Sequence, residues 1–364
     1  MQKTIRQNTF FEGLKIVEFA GVLAGPAVGM FFAELGAEVL KIENKTTGGD
    51  MTRGWKLPGE DPGNSTSAYF SSVNWGKQYL MLDLNDPADL QTALEHTRRA
   101  DIVISNFKPA SARRLGIDPE NLRAHHPSLI YAQINAFADP EDERPAFDVV
   151  LQAEAGFLYM TGEPGRMPVK MPVALIDLVA AHQLKEAILL ALLHRERTGE
   201  GSVVSTSLME SALASLANQA SNYLMAGHVP QRMGTQHPNI APYGDIFICA
   251  DGKPMLLAIG TERQFRGLCE VLNMEWLLED PDFQTNKDRV VHRNALNEVL
   301  SVAFSTQLFD DLMPLFNAAG VPAARIRDMR SVFEMPEAQA MILEETMPDG
   351  TKTQRVKTAA FRLE

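Results

Sequence analysis

Cysteine is scarce in this chain of 364 residues: only Cys249 and Cys269 occur. Two thiols supply neither a disulfide framework nor a cysteine-rich metal site. The expectation is two reduced thiols in a cytoplasmic protein. No apolar run approaches the roughly 20 residues of a membrane-spanning helix. The opening Met1-Gln2-Lys3-Thr4-Ile5-Arg6 lacks the apolar stretch of a signal peptide. Positive charge is also short. Lys and Arg number 34 against 46 Asp and Glu, a formal net charge of −12, whereas a nucleic-acid-binding surface needs a basic excess. Neither nucleic acid nor membrane is therefore expected as a partner. No internal repeat or low-complexity tract is visible.

What remains is an ordinary globular composition, 45% apolar and 22% charged. The length allows a large core in one or two domains. Residues 13–55 carry the most information. A β-rich run at 14–19 meets Ala24-Gly25-Pro26, a short apolar helix follows and stops at Gly36, and a second β-rich run covers 38–43. This is a βαβ unit without the usual dinucleotide glycines. Pro26 fits the first helical position because it has no N–H to leave unpaired. Gly36 is expected at positive φ where the chain leaves the helix. Free amides at the helix N-terminus suit a phosphate or a thioester oxygen, although on spacing alone an ordinary crossover connection is the commoner explanation.

Further strand signals at 79–84, 101–105 and 129–134 alternate with helices opened by Asp86-Pro87 and by the loop Asn106-Phe107-Lys108-Pro109. This alternation predicts an α/β domain, Rossmann-like, with a mostly parallel sheet. Leu178, Ala181, Leu184, Ile188, Ala191 and Leu192 recur at helical spacing within a long helix over 176–197 that ends at Gly199. A strand at 203–207 and a helix over 208–225 complete a large domain of residues 1–226. Residues 245–250 and 255–259 read as a hairpin across Asp251-Gly252-Lys253. Residues 227–320 are expected to form a smaller α+β domain, with 321–364 returning to the first.

Residues 13–55, Leu82-Asp83-Leu84, Asn106-Phe107, Arg114-Leu115-Gly116 and 193–201 fall in the order and spacing of one known family. The chain resembles the class III CoA-transferases, the formyl-CoA and L-carnitine CoA-transferase superfamily. The segment Gly49-Asp50-Met51-Thr52-Arg53-Gly54-Trp55 is especially similar to the formyl-CoA transferase branch.

The resemblance implies that Asp177 is the catalytic nucleophile, attacking an acyl-CoA thioester to form a mixed anhydride. On the residues alone, a capping aspartate at a helix start is the commoner explanation. A carboxylate ionised at pH 7 needs no base to activate it, and a helix N-terminus favours the anion. By the same resemblance Leu23, Ala24, Gly25, Trp55, Phe147 and Asp148 belong to the substrate pocket. Val22, Leu82, Asn106, Phe107, Lys108 and Arg114 belong to the CoA-binding set. Amides around Ala24-Gly25 would form an oxyanion hole. Many relatives carry a polar side chain at the place of Leu23, and Asn44 and Asn85 stand where some relatives use Arg or Lys.

The implied activity is transfer of CoA from an acyl-CoA to a carboxylic acid. No metal and no cofactor beyond CoA as substrate is expected, and the implied assembly is an interlocked homodimer. An acyl-CoA racemase or epimerase is the alternative, but it needs two proton-transfer groups, and Phe147 stands where such relatives have histidine. A CoA-binding protein without catalysis is the other alternative; Asp177 argues against it.

Overall fold

A computed structural model describes residues 10–362. The opening Met1–Arg6 segment, read above for a signal peptide, lies outside the described residues. The chain forms two compact units.

The larger unit comprises residues up to Ala155, Met171–Ala217, and the chain from Pro336 onward. It opens with β1 (Lys15–Glu18), α1 (Ala24–Glu34), β2 (Glu38–Asn44), α2 (Ala68–Ser71), β3 (Gln78–Leu82), α3 (Pro87–Thr97) and β4 (Ile102–Ser105). Then come α4 (Pro109–Leu115), α5 (Pro119–His125), β5 (Ile130–Asn135) and α6 (Asp148–Glu154). After α7 (Phe157–Met160), which belongs to the other unit, the large unit resumes with α8 (Leu175–Thr198), β6 (Val203–Ser207) and α9 (Leu208–Ala214). All six strands are parallel, in the order β3-β2-β1-β4-β5-β6. This is the Rossmann-like order, in which ligands bind at the carboxyl ends of β1 and β4, where the winding reverses.

Local chemistry explains the helix starts. Pro87, Pro109 and Pro119 each open a helix, and Asp86 and Asp118 accept the amides of the first turns of α3 and α5. The first apolar helix begins at Ala24, two residues before the expected Pro26. Pro26 still lies in the first turn, where no N–H is needed. Gly36 takes φ 98° and Gly199 φ 78°, both helix exits that glycine makes without steric cost. One face of the sheet packs Val17, Ile42, Val103 and Tyr131 against Ala112, Leu115 and Leu122. On α1 and α8, which pack together, Val28, Met30, Phe32, Ala180, Leu184 and Ile188 are buried. The expected helix over 208–225 is two helices, Leu208–Ala214 and Ala217–Ala226, with Ala217 at φ 47° where the second begins.

The smaller unit holds Gly156–Lys170 and Asn218–Met335. Its antiparallel sheet runs β7 (Tyr243–Ile248), β8 (Pro254–Ala258), β9 (Ala323–Arg325). Phe247, Met255, Phe265, Leu296, Phe304 and Phe316 form its core. The expected return at residue 321 differs from the structure. Val321 is buried in this core and β9 pairs with β8, so the return comes at Pro336. The expected start at 227 also differs, since Asn218 already belongs to this unit.

Candidate active site

Two cavities flank the carboxyl end of β1 in the large unit. One, of about 250 Å³, is lined by Phe19, Lys41, Asp50, Leu82, Phe107 and Arg114, with Asn44 and Asn85 in the same wall. The other, of about 340 Å³, is lined by Val22, Leu23, Ala24, Asn106, Lys108, Arg144, Phe147 and Asp177. Gly21 and Phe107 line both.

Asp177 sits in the first turn of α8 and is 8% exposed. It is not the cap of its helix: the residue in that place is Ala174, whose methyl side chain cannot accept a hydrogen bond. Asp148 supplies the missing acceptor from α6. Its carboxylate accepts the Ile176 amide at 2.7 Å and the Asp177 amide at 3.3 Å. The Gln152 side-chain amide donates to the other oxygen of Asp148, while Gln152 Oε1 accepts the Met171 amide at 3.0 Å. The helix carrying Asp177 is thus fixed at its N-terminus by a neighbouring acid.

That arrangement changes the expected ionisation of Asp177. Burial first, and the Asp148 charge second, push its carboxyl up from 3.8 to about 7. The sequence predicts Asp177 ionised at pH 7, at a helix start that favours the anion; desolvation outweighs the helix N-terminus here.

The remaining residues divide. Leu23 is buried at the N-cap of α1, and Ala24 and Gly25 form its first turn. A Cβ on Gly25 would collide with the Ala20 side chain, so this close approach requires glycine. The Val22 amide is already engaged, donating to Asp50 Oδ2 at 3.1 Å. Asn106 turns both polar atoms to Gly21: Oδ1 accepts the Gly21 amide at 3.3 Å and Nδ2 donates to the Gly21 carbonyl at 3.2 Å. Lys108 donates to the Glu143 carbonyl at 2.8 Å, and Arg114 donates to Asn85 Oδ1 at 3.0 Å. Phe147 is half-exposed on the wall of the larger cavity.

Trp55 lines neither cavity but meets Tyr69 edge-on, with ring centroids 4.9 Å apart. The Tyr69 hydroxyl is held above its usual range, by burial first and then by the charges of Asp177, Asp148 and Asp50. Tyr69 and Arg144 were not foreseen. Nothing local marks Tyr69 as close to the two acids, and Arg144, stacked 3.8 Å over the Phe137 ring, lies in a segment that reads as an acidic surface loop. Among the described residues, no three His, Cys, Asp or Glu side chains gather where they could hold a metal ion.

A doubly wound sheet with cavities at its switch point and a buried acid on one wall is the arrangement in which α/β proteins bind their ligands. The chain belongs to CoA-transferase family III, which it matches over residues 11–364. It is 37% identical over 353 residues to the succinate–glutarate CoA-transferase of Agrobacterium fabrum, covering 95% of this chain and 88% of that one. It is 34% identical to the acetyl-CoA:oxalate CoA-transferase of Acetobacter aceti, covering 91% and 84% of the two chains. A crystal structure of a CAIB/BAIF family protein from Brucella suis superposes with a TM-score of 0.83 at 37% identity, covering 98% of this chain and 93% of that one. The protein is accordingly an enzyme, a class III CoA-transferase.

Proposed function

We propose that this enzyme moves CoA from an acyl-CoA to a small dicarboxylic acid, with the acyl group carried in passing on Asp177. The observation that carries the reading is the buried Asp177 carboxylate on a cavity wall that also contains the N-terminus of α1. Its raised proton affinity makes its anion a stronger nucleophile, and free helix amides suit a developing oxyanion.

The steps balance as four acyl transfers. An Asp177 oxygen attacks the thioester carbonyl; the C–S bond breaks, CoA leaves as thiolate, and a mixed anhydride remains. The thiolate attacks the Asp177 carboxyl carbon, releasing the donor carboxylate and leaving an aspartyl-CoA thioester. The acceptor carboxylate attacks that carbon, displacing thiolate and forming a second anhydride. The thiolate then attacks the acceptor carbonyl, giving the new acyl-CoA and free Asp177. CoA is substrate, and the scheme uses no metal or further cofactor.

The nucleotide end of CoA occupies the smaller cavity, with Arg114 for phosphate or adenine and Leu82 and Phe107 as apolar surface. The acyl end occupies the larger one, bounded by Leu23, Phe147 and the first turn of α1. Lys108 and Arg144 on that wall, the latter paired with Asp142, offer cations to a second carboxylate on the acid, and the free acids in the names of the Agrobacterium and Acetobacter relatives, succinate, glutarate and oxalate, are dicarboxylic. Racemisation would need a second proton carrier, which Phe147 does not supply. The active form is a homodimer, consistent with the exposed Leu189, Leu190 and Leu193 on α8. Buried free thiols at Cys249 and Cys269 fit a cytoplasmic setting.

The test is mass spectrometry of the protein with pooled acyl-CoAs and pooled carboxylic acids. New acyl-CoAs from dicarboxylic acids are expected. Products from monocarboxylic acids alone would remove the dicarboxylate reading, and no product at all would remove transfer. Light scattering of the same sample gives the assembly, for which twice the chain mass is expected.

A further inference from the structure

A set of buried charges lies beneath the loop that separates the two cavities. Glu18 and Lys41, 0% and 1% exposed, pair at 3.0 Å. Lys77 holds the other side of Glu18 at 2.8 Å. Lys41 also reaches Asp50 at 3.2 Å, and Glu43 accepts the Asp50 amide at 2.7 Å while pairing with Arg53. The three carboxylates Glu18, Asp50 and Glu43 thus face the three cations Lys41, Lys77 and Arg53. Burying charge is costly, and a balanced, fully bonded cluster is the form in which it is tolerated.

The cluster grips the main chain of one short segment. Lys41 donates to the Ala20 carbonyl and Lys77 to the Pro26 carbonyl, so the two lysines hold the chain on either side of residues 21–25. Between them, Asp50 accepts the Val22 amide and Asn106 pairs with both polar atoms of Gly21. Val22 needs this grip. Its φ is 70°, in the left-handed region that a β-branched residue rarely enters. A left-handed Val22 is what turns the chain out of β1 and into the first turn of α1.

We infer that Asp50 is a positioning residue for the transfer reaction: by holding the Val22 amide it keeps the loop left-handed and the first-turn amides of α1 aimed into the acyl cavity. This rests on the function proposed above. Asp50 lines the smaller cavity while Val22 and Asp177 line the larger, so its influence on the acyl cavity passes through the backbone. Both Asp50 oxygens are committed: Oδ1 accepts the Thr52 amide at 3.0 Å and hydroxyl at 2.8 Å, and Oδ2 accepts Val22 and faces Lys41. An asparagine has the same shape, but in either orientation its NH₂ group meets a donor.

The test is Asp50→Asn, alone and with Val22→Gly. Glycine enters the left-handed region without penalty, so it restores the loop when the acceptor is lost. In Asp50→Asn, kcat is expected to fall on the order of tenfold or more, with a smaller change in KM, because the amides act on charge that develops during reaction. Hydrogen exchange of the peptide spanning residues 21–24 should quicken. Adding Val22→Gly should return most of the lost kcat. A folded double variant no faster than Asp50→Asn would overturn the inference. So would failure of Asp50→Asn to fold in both backgrounds, since Asp50 would then hold the domain and not the loop. A wild-type protein without transfer activity would count against the proposed function. Hydrogen exchange would then decide the present inference: unchanged exchange at residues 21–24 in Asp50→Asn would refute it.

Discussion

The Asp148 carboxylate lies 2.7 Å from the Ile176 amide and caps the helix that carries Asp177. The same acid that fixes the position of Asp177 also raises its proton affinity. In the wild-type enzyme, kcat/KM should therefore rise with pH through about 7, as the Asp177 anion forms. Asp148→Asn removes the neighbouring charge but not the burial, which is the larger cause. Its midpoint should move below that of the wild type without reaching the ordinary carboxylate range. A pH–rate series on both proteins measures this, and coincident midpoints would show that Asp148 has no electrostatic hold on the rate.

Asp177 should weaken the fold where it is charged. Its carboxyl is raised from 3.8 to about 7 on folding, so between these values the folded chain keeps a proton that the unfolded chain has lost. Stability from this group is complete below the lower value and is lost as pH rises through the upper one. Asp177→Asn does not titrate. The variant should gain on the wild type as pH rises from about 4 to 8, by a few kcal/mol at most. Denaturant unfolding at several pH values would reveal the trend, and a gap independent of pH would contradict it.

Much of this arrangement could be read along the chain, because its signals are local. Pro87 and Pro109 mark helix starts, Gly36 and Gly199 mark exits, and β-rich runs mark the parallel strands. What could not be read depends on distant partners. The link from Asp148 to the amide of Ile176 spans 28 residues, and that from Asp50 to Val22 spans the same number. Asp177 was expected to be ionised because its burial is a property of the packed fold. The end of the smaller unit was placed too early because β9 belongs there through pairing with β8, not through composition.

Arg114 tests where CoA lies. It is exposed on the wall of the smaller cavity, and its side chain donates to Asn85 Oδ1. Arg114→Ala should weaken free CoA binding on the order of tenfold or more, the scale of a lost charge-assisted contact. The effect should fall on affinity more than on kcat, because the contact is remote from the reacting bond. Calorimetry with CoA alone, set against steady-state kinetics, separates the two. Unchanged affinity in a folded variant would mean that CoA binds elsewhere.

The central claim is that the Asp177 carboxyl is activated covalently, first as the acyl anhydride and then as the CoA thioester. The enzyme is incubated with an acyl-CoA and no acceptor acid, quenched with hydroxylamine, digested and examined by peptide mass spectrometry. The account predicts a hydroxamate at Asp177, absent from Asp177→Asn, together with a loss of transfer of about 10⁴-fold or more in that variant. A hydroxamate on another residue, or near-normal transfer by folded Asp177→Asn, would contradict it.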